Sequence, residues 1–483
     1  MDDEDAKRMP ATKEIDEAKP LAAFVVMGDV GRSPRMIRHA QAAKDRQFRA
    51  VLVGYQGTPV PAEVETRTFL PATASPHLPK TMATALKFLS TVFSLARALW
   101  KMPKAYAVVL QAPPAFPAAL ICWLYTKFVR ATFVVDWHNY GDTILAMELG
   151  NDHTMVKVAR AGDRIVAALA DGNLCVSKAL KLDLERRFGK PATVLYDRPH
   201  QYYEAPEGKE RKELLERCLG ADSYQALTRR QAALAVTSTS WTIDEDFDLL
   251  LDALKLYDEA ARKTLRGTES HSRSSIRLRT GLNARTAVEQ ESDVSGKGDP
   301  LVQSFGGSYD TASAEGSFDE LPDIWLVVTG KGPRQKEYKE KVKELDLKHV
   351  VIQMVWAQAE DFPFLLAAMD LGISMHSSSS GLDLPMKVVD MFAAGIPVLA
   401  YRYECIGNEL VHANQNGCLF ENAEELSHQL QRLLCYHPQK TPLYWKLKEG
   451  AKAEFDRKSW EQEWTFNAMP MLLGLKCADC VDT

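Results

Sequence analysis

The sequence predicts an α/β protein of two doubly wound domains, each a parallel sheet covered by helices, laid end to end around a cleft. Three observations carry this. The chain has 483 residues, 46% hydrophobic and 25% charged, enough to bury two ordinary cores and too long for one. From Leu21 onward, short apolar β-rich runs alternate with helical patterns, and the alternation resumes after a polar interval. The runs are apolar throughout, as in strands buried on both faces of a parallel sheet.

The elements follow in order. Residues 1–20 are charged and hold no apolar run, so they read as a tail, with neither signal peptide nor N-terminal anchor, and the folded domains are expected in the cytosol. The first domain spans 21–205, with strands expected at 21–28, 49–55, 106–111, 132–137, 173–177 and 193–196. A charge-rich stretch at 206–230 reads as a linker. The second domain spans 231–440, with strands expected at 233–238, 324–329, 350–355, 371–375 and 397–401. Within it, residues 267–320 are rich in Ser, Gly, Thr and mixed charge, as a disordered insertion would be. Residues 441–470, with Trp445, Phe455, Trp460 and Trp464, read as a helix packing across both domains, and 471–483 as a tail. The longest apolar stretch, 115–125, is bounded by Lys127 and Arg130 and is far short of the ~18 residues of a spanning helix.

Composition excludes some classes of function. A net charge of -5 supplies no field for holding a nucleic acid. The eight cysteines are scattered, six of them in apolar contexts, which indicates buried thiols in a reducing compartment; Cys477 and Cys480 lack the further ligands a zinc site needs. A metal-dependent reaction would require carboxylates bracketing the ion, and none stands out. Asp244, Glu245 and Asp246 are explained as acidic residues opening a helix, where the dipole favours them.

Three glycine-containing segments lie where strands end, and ligands in such sheets sit outside the carboxyl ends of the strands. Gly28-Asp29-Val30-Gly31-Arg32-Ser33-Pro34-Arg35 permits a tight turn with Ser33 and Pro34 opening a helix, so free N–H groups with Arg32 and Arg35 nearby suit a diphosphate. Thr329-Gly330-Lys331-Gly332-Pro333 offers a lysine on a glycine turn, again a phosphate contact. The third, residues 376–398, gathers Ser379, Ser380 and Gly381 before a helix. On that helix Lys387 and Asp390 share a face, an ammonium for phosphate and a carboxylate for a ribose diol. A dinucleotide-binding oxidoreductase would want Gly-x-Gly-x-x-Gly, and Gly28-x-x-Gly31 misses that spacing.

The run of Pro385, Lys387, Asp390, Gly395 and Pro397-Val398 resembles the nucleotide-sugar signature of retaining GT-B glycosyltransferases, with Asp390 in the place of its second glutamate and Asp383 nearest to its first. A closer resemblance covers residues 21–435 apart from the insertion. GDVGRSPRM, DWHNYG, NLCVS, STSWTIDEDF, TGKGP and SSSSGLDLPMKVVDMF, in that order, are similar to the eukaryotic chitobiosyldiphosphodolichol β-mannosyltransferases. The resemblance implies a GT-B fold and inverting transfer of mannose from GDP-mannose to O4 of the distal GlcNAc of dolichol-diphosphate chitobiose, at the cytosolic face of the endoplasmic reticulum, without a metal cofactor. It also implies company with other mannosyltransferases of the dolichol pathway. Carried onto this chain, Lys331, Lys387 and Asp390 would hold GDP, with Ser379, Ser380 and Gly381 beside the phosphates. Inversion needs a base on the first domain. Asp29 is the first candidate, followed by Asp136, His138 and Asp142. The alternative is an inactive GT-B-like scaffold subunit, since a fold does not guarantee chemistry.

The family's N-terminal transmembrane anchor has no counterpart at residues 1–20. Residues 86–101 offer a substitute, with Lys87, Arg97 and Lys101 on one stripe and Phe88, Leu89, Phe93, Leu99 and Trp100 on the wider apolar face. Such a helix fits the lipid headgroup region. It equally fits a core.

Overall fold

The computed structural model describes residues 19–70, 80–199, 201–278, 321–457 and 459–475. Two parallel sheets form the framework. The first takes β1 (Leu21–Asp29), β2 (Arg49–Tyr55), β3 (Glu65–Phe69), β4 (Ala105–Ala112), β5 (Thr132–Trp137), β6 (Gly172–Cys175) and β7 (Thr193–Val194), in the order β3-β2-β1-β4-β5-β6-β7. The second takes β8 (Ala233–Ser238), β9 (Ile324–Thr329), β10 (Val350–Val355), β11 (Leu371–Ser374), β12 (Val398–Tyr401) and β13 (Gly417–Phe420), ordered β10-β9-β8-β11-β12-β13. The strand order reverses between β1 and β4 and again between β8 and β11. At such a reversal neighbouring loops diverge and open a crevice at the carboxyl ends.

Each sheet separates two apolar layers because successive side chains of a strand point to opposite faces. In β1, Ala23 and Val25 join one layer with Val108, Phe133 and Trp137, while Ala22, Phe24 and Val26 join the other with Leu52, Val134 and Leu174. The second sheet repeats this, Leu234 and Val236 facing one layer and Ala233 and Ala235 the other. Six thiols are described, all free, four of them buried; Cys477 and Cys480 lie outside the described residues.

The stretch expected as a linker is two helices, Gly208–Leu219 and Ala221–Arg230. Leu214, Leu215, Leu219 and Leu227 bury into the second domain, and this sparse apolar stripe is masked in the sequence by the surrounding charge. Of the expected insertion, residues 267–278 continue the helix Phe247–Leu278, and 279–320 lie outside the described residues.

The chain's end returns to its beginning. The helix Pro442–Asp456 packs on the second domain through Leu447 and Ala451. The helices Trp460–Asn467 and Met469–Leu472 then cover the first sheet, burying Trp460, Trp464, Ala468 and Leu472 against Phe24 and Val134. The indole N–H groups are satisfied there: Trp460 donates to the carbonyl of Arg38 at 3.2 Å and Trp464 to His39 Nδ1 at 2.9 Å.

Candidate active site between the domains

On the second domain, the loops after β8, β9 and β11 interlock. Gly330 has φ +117°, and a Cβ on it would fall 1.8 Å from the carbonyl oxygen of Thr239; one on Gly332 would fall 1.7 Å from that of Ser240. Only glycine lets the two turns touch. From the β8 loop, Glu245 is buried and accepts from Thr239 Oγ1 at 2.5 Å and from the Ser240 and Trp241 amides at 2.8 and 3.0 Å. Its other oxygen forms an ion pair with Lys387 Nζ, one turn before Asp390 on the helix Met386–Ala393. Desolvation pulls the Lys387 ammonium down to about 8, still protonated at neutral pH, with the Asp244 carboxylate partly opposing the shift. Desolvation also pushes the Asp390 carboxyl up to about 6, partly opposed by Arg38 from the first domain.

The acidic tripeptide expected to serve the helix dipole divides its work three ways. Glu245 pairs with Lys387, Asp244 Oδ2 lies 3.1 Å from His376 Nδ1, and only Asp246 caps the helix, accepting from the Leu249 amide at 3.1 Å. His376 is clamped on both sides, with Asp383 Oδ2 2.8 Å from Nε2. Desolvation would lower its pKa, but the two carboxylates outweigh burial and raise it to about 9. Ser378, at φ +48°, donates to Asp383 and accepts from the Gly381 amide at 2.9 Å, folding the serine run into a compact turn. Ser380 Oγ accepts from the Leu382 amide at 3.2 Å. Gly381 has φ +73° and open space around it.

The first domain closes on this turn. Asn139 Nδ2 donates to Ser379 Oγ at 3.1 Å and to Asp383 Oδ1 at 2.8 Å, and Thr143 Oγ1 lies 3.1 Å from Ser379 Oγ. Glu409 of the second domain accepts from the Lys178 and Ala179 amides at 2.7 and 2.8 Å, capping the helix Lys178–Phe188, and from the Tyr196 hydroxyl at 2.7 Å. Arg38 reaches Asp390 at 3.9 Å.

The first-domain candidates separate by their partners. Asp29 is 24% exposed at its side chain, but its oxygens accept from the Gly31 amide, the Thr58 amide and the Thr58 hydroxyl at 2.8–3.0 Å, and its pKa is lowered. Burial works against that shift; these bonds and Arg32 prevail. The result is a loop clasp and a weak base. A Cβ on Gly31 would sit 2.3 Å from the Thr58 carbonyl oxygen, so glycine is needed here, whereas Gly28 has no such constraint. Arg32 is exposed and 3.7 Å from Asp29. Arg35, expected near a phosphate, is instead fully enclosed: it binds Asp136 through two nitrogens at 2.7 and 2.8 Å, with the Leu195 carbonyl and Asp197 as further partners. Asp142 is buried between Arg160 and Arg187 at 2.7 and 2.8 Å, which takes it out of reach of a substrate.

His138 differs. Its Nε2 lies 2.9 Å from the buried Asp136, and its side chain is a quarter exposed. A carboxylate can only accept, so Nε2 carries a proton toward Asp136 and Nδ1 is the ring nitrogen left to accept one. The same logic makes His39 a spectator: Trp464 donates to its Nδ1, Nε2–H points at Asp136 across 3.2 Å, and full burial lowers its pKa.

The second domain therefore sets Ser379, Ser380, Gly381, Asp383, Lys387 and Asp390 on one loop and helix, beside the Gly330–Gly332 turn, whose Lys331 ammonium lies over the Trp356 ring; Asn139, next to His138, reaches this loop from the first domain. Glu245, His376, Asn139 and Glu409 were not among the expected site residues. Among the described residues no three His, Cys, Asp or Glu side chains converge as a metal site.

Residues 313–452 match the family model for glycosyl transferases group 1. Chitobiosyldiphosphodolichol beta-mannosyltransferases are 32% identical in Mus musculus, over 93% of this chain and 88% of the relative, and 30% identical in Homo sapiens, over 93% and 92%. The chain belongs to the chitobiosyldiphosphodolichol beta-mannosyltransferase family. A further member-like relative, named UDP-glycosyltransferase TURAN in Arabidopsis thaliana, is 33% identical over 93% of this chain and 97% of its own length. Solved structures agree on the fold. WaaG, a glycosyltransferase of lipopolysaccharide biosynthesis, superposes with a TM-score of 0.56 at 14% identity, covering 91% of this chain and 96% of its own. Anabaena Alr3699/HepE in complex with UDP-glucose gives 0.57 at 13%, covering 93% and 98%. As a family member the chain is a GT-B glycosyltransferase of the dolichol pathway.

Proposed function

We propose that this enzyme transfers mannose from GDP-mannose to O4 of the distal GlcNAc of dolichol-diphosphate chitobiose, inverting the anomeric centre. The observation that carries the reading is the pairing of Lys387 with buried Glu245 one turn from Asp390, beside the serine turn that Asn139, the residue after His138, reaches from the first domain. Asp390 accepts the two ribose hydroxyls in this reading. The Lys387 ammonium, Lys331 and the amides of the serine turn receive the diphosphate. His138 Nδ1 takes the O4 proton as O4 bonds to C1 and the C1–O bond to the β-phosphate breaks, so GDP leaves with the electron pair. His138 is preferred to Asp29 as the base because Asp29 spends its lone pairs on the Thr58 loop. No metal enters this scheme, and activity is expected to survive excess chelator.

The decisive assay offers a panel of GDP- and UDP-sugars with lipid-linked chitobiosyl diphosphate and reads one-sugar extension. Extension with GDP-mannose alone is expected; extension with a UDP-sugar instead would replace the donor assignment. His138→Gln is expected to lower kcat by 10² or more with KM for donor nearly unchanged, and Asp29→Asn to retain most of its turnover.

A lipid-linked acceptor calls for membrane contact, proposed at the cytosolic face of the endoplasmic reticulum. No described helix is long and apolar enough to cross a membrane. The helix Lys80–Trp100 divides its apolar residues: Leu95 and Leu99 enter the core, while Leu89, Phe93 (69% exposed) and Trp100 face outward. The Phe88 side chain lies outside the described residues. Phe128 (76% exposed) and Leu124, on the neighbouring helix Ala118–Val129, extend the apolar face, and Arg97 and Lys101 flank it, while Lys127 is paired with Asp171 at 2.9 Å. Exposed apolar groups rimmed by cations match an anionic bilayer surface. Folded Phe93→Ser/Trp100→Ser/Phe128→Ser protein should fail to float with anionic liposomes; undiminished flotation would refute this surface.

A further inference from the structure

We propose that Trp356 is the platform on which the donor's nucleobase stacks, braced from one side by Lys331. The inference rests on the reading of the cleft as a nucleoside-diphosphate site and adds the place of the base.

Trp356 is the first residue after β10, at the carboxyl edge of the second sheet, and is 55% exposed. The other two tryptophans of this sheet region are buried and hydrogen-bonded, Trp325 to Gln353 at 2.9 Å and Trp241 to the Gly330 carbonyl at 3.2 Å. Among the described residues the Trp356 indole N–H has no protein acceptor. An indole left in water at the mouth of a cleft contributes little to folding, since burial is what makes a tryptophan stabilising. Among the described residues its ring carries one cation contact, Lys331, whose Nζ lies 3.9 Å from the centroid. That cation leans on one face of the ring and leaves the other open, and the Lys331 backbone is held by the two glycines that lock its turn onto Thr239 and Ser240.

Strand order then sets the ligand's direction. Along the carboxyl edge the sequence is β10, β9, β8, β11, which lines up Trp356, Lys331, the Glu245 loop and the serine turn before Lys387. Three inter-strand steps of ~4.8 Å span roughly 14 Å, the reach of an extended nucleoside diphosphate. The phosphates belong at the β8/β11 reversal, where cations and amides gather, so the base falls on the β10 side, at Trp356. A ring pre-set by Lys331 loses little freedom on stacking.

Calorimetry and tryptophan emission on the full chain test this. Trp356→Ala should raise the Kd for GDP about tenfold or more, the range of base–aromatic stacking, while Trp356→Phe stays within about threefold. GDP should quench wild-type emission, and Trp356→Phe should lose a distinct share of that quenching. An unchanged Kd in Trp356→Ala, or identical quenching in wild type and Trp356→Phe, overturns the platform while leaving the nucleotide site standing. Wild-type protein that binds no GDP overturns the nucleotide reading itself, and the platform with it.

Discussion

Two buried ionic arrangements decide how the cleft behaves. Glu245 spends four interactions on holding one loop and one lysine, so removing its charge leaves the Lys387 ammonium desolvated without its partner. Breaking a buried pair in this way costs about 3–5 kcal/mol. Glu245→Gln should therefore lower the urea midpoint and weaken GDP binding together, whereas a purely helix-capping role would leave GDP affinity intact. His376 gives a pH signature. Its folded pKa of about 9 lies above the ordinary value of 6.5, so its contribution is complete below pH 6.5 and is lost as pH rises through 9. At 1.36 kcal/mol per pKa unit this is on the order of 3 kcal/mol. Thermal melts of wild type should fall across that window and those of His376→Gln should not; parallel curves would show that the clamp does not hold the imidazolium.

Among the elements, the interdomain cap is the most exposed to test. Glu409 satisfies two amides that open the helix Lys178–Phe188, a capping contribution of about 1 kcal/mol placed across the domain boundary. Glu409→Ala should shift the population toward open domains, seen as a larger radius of gyration by solution scattering with each domain's far-UV spectrum preserved. What was legible beforehand divides along physical lines. Strands with mainly apolar runs were plain because such runs have few other uses: the buried 49–55, 132–137, 233–238 and 324–329 match their observed bounds, as does the half-buried but still apolar edge strand 350–355. β3 was invisible because an edge strand such as Glu65-Thr-Arg-Thr-Phe69 is polar, and β13 because four residues carry no period. The Lys387–Asp390 face was visible because i, i+3 spacing is local. The partners of that face were not, since Glu245 and Lys387, or Asn139 and Asp383, meet only after two loops and two domains converge.

At the scale of the whole molecule, the two domains are bound by more than the cleft. The segment after β7 crosses to the second domain, where the Tyr203 amide donates to the Ala393 carbonyl at 2.9 Å. Tyr202 occupies the space where a Cβ on Gly395 would sit, 2.2 Å from its hydroxyl. Arg198 ties this crossing to the return crossing through Glu454 at 2.9 Å. Trp464 closes the circuit. Trp464→Ala should cost about 3–5 kcal/mol, measured as a drop in the first domain's unfolding transition, because it opens a cavity beneath β1 and strips His39 Nδ1 of its donor. The same closure bears on biosynthesis. The apolar layer around Phe24, Leu52 and Val134 is covered partly by the early helix Pro34–Asp45, through Met36, Ala40 and Ala43, and partly by residues 460–472, which are translated hundreds of codons later. A growing polypeptide therefore carries part of that layer bare while the second domain is still being made. During that interval a chaperone at the ribosome exit has a reason to hold it.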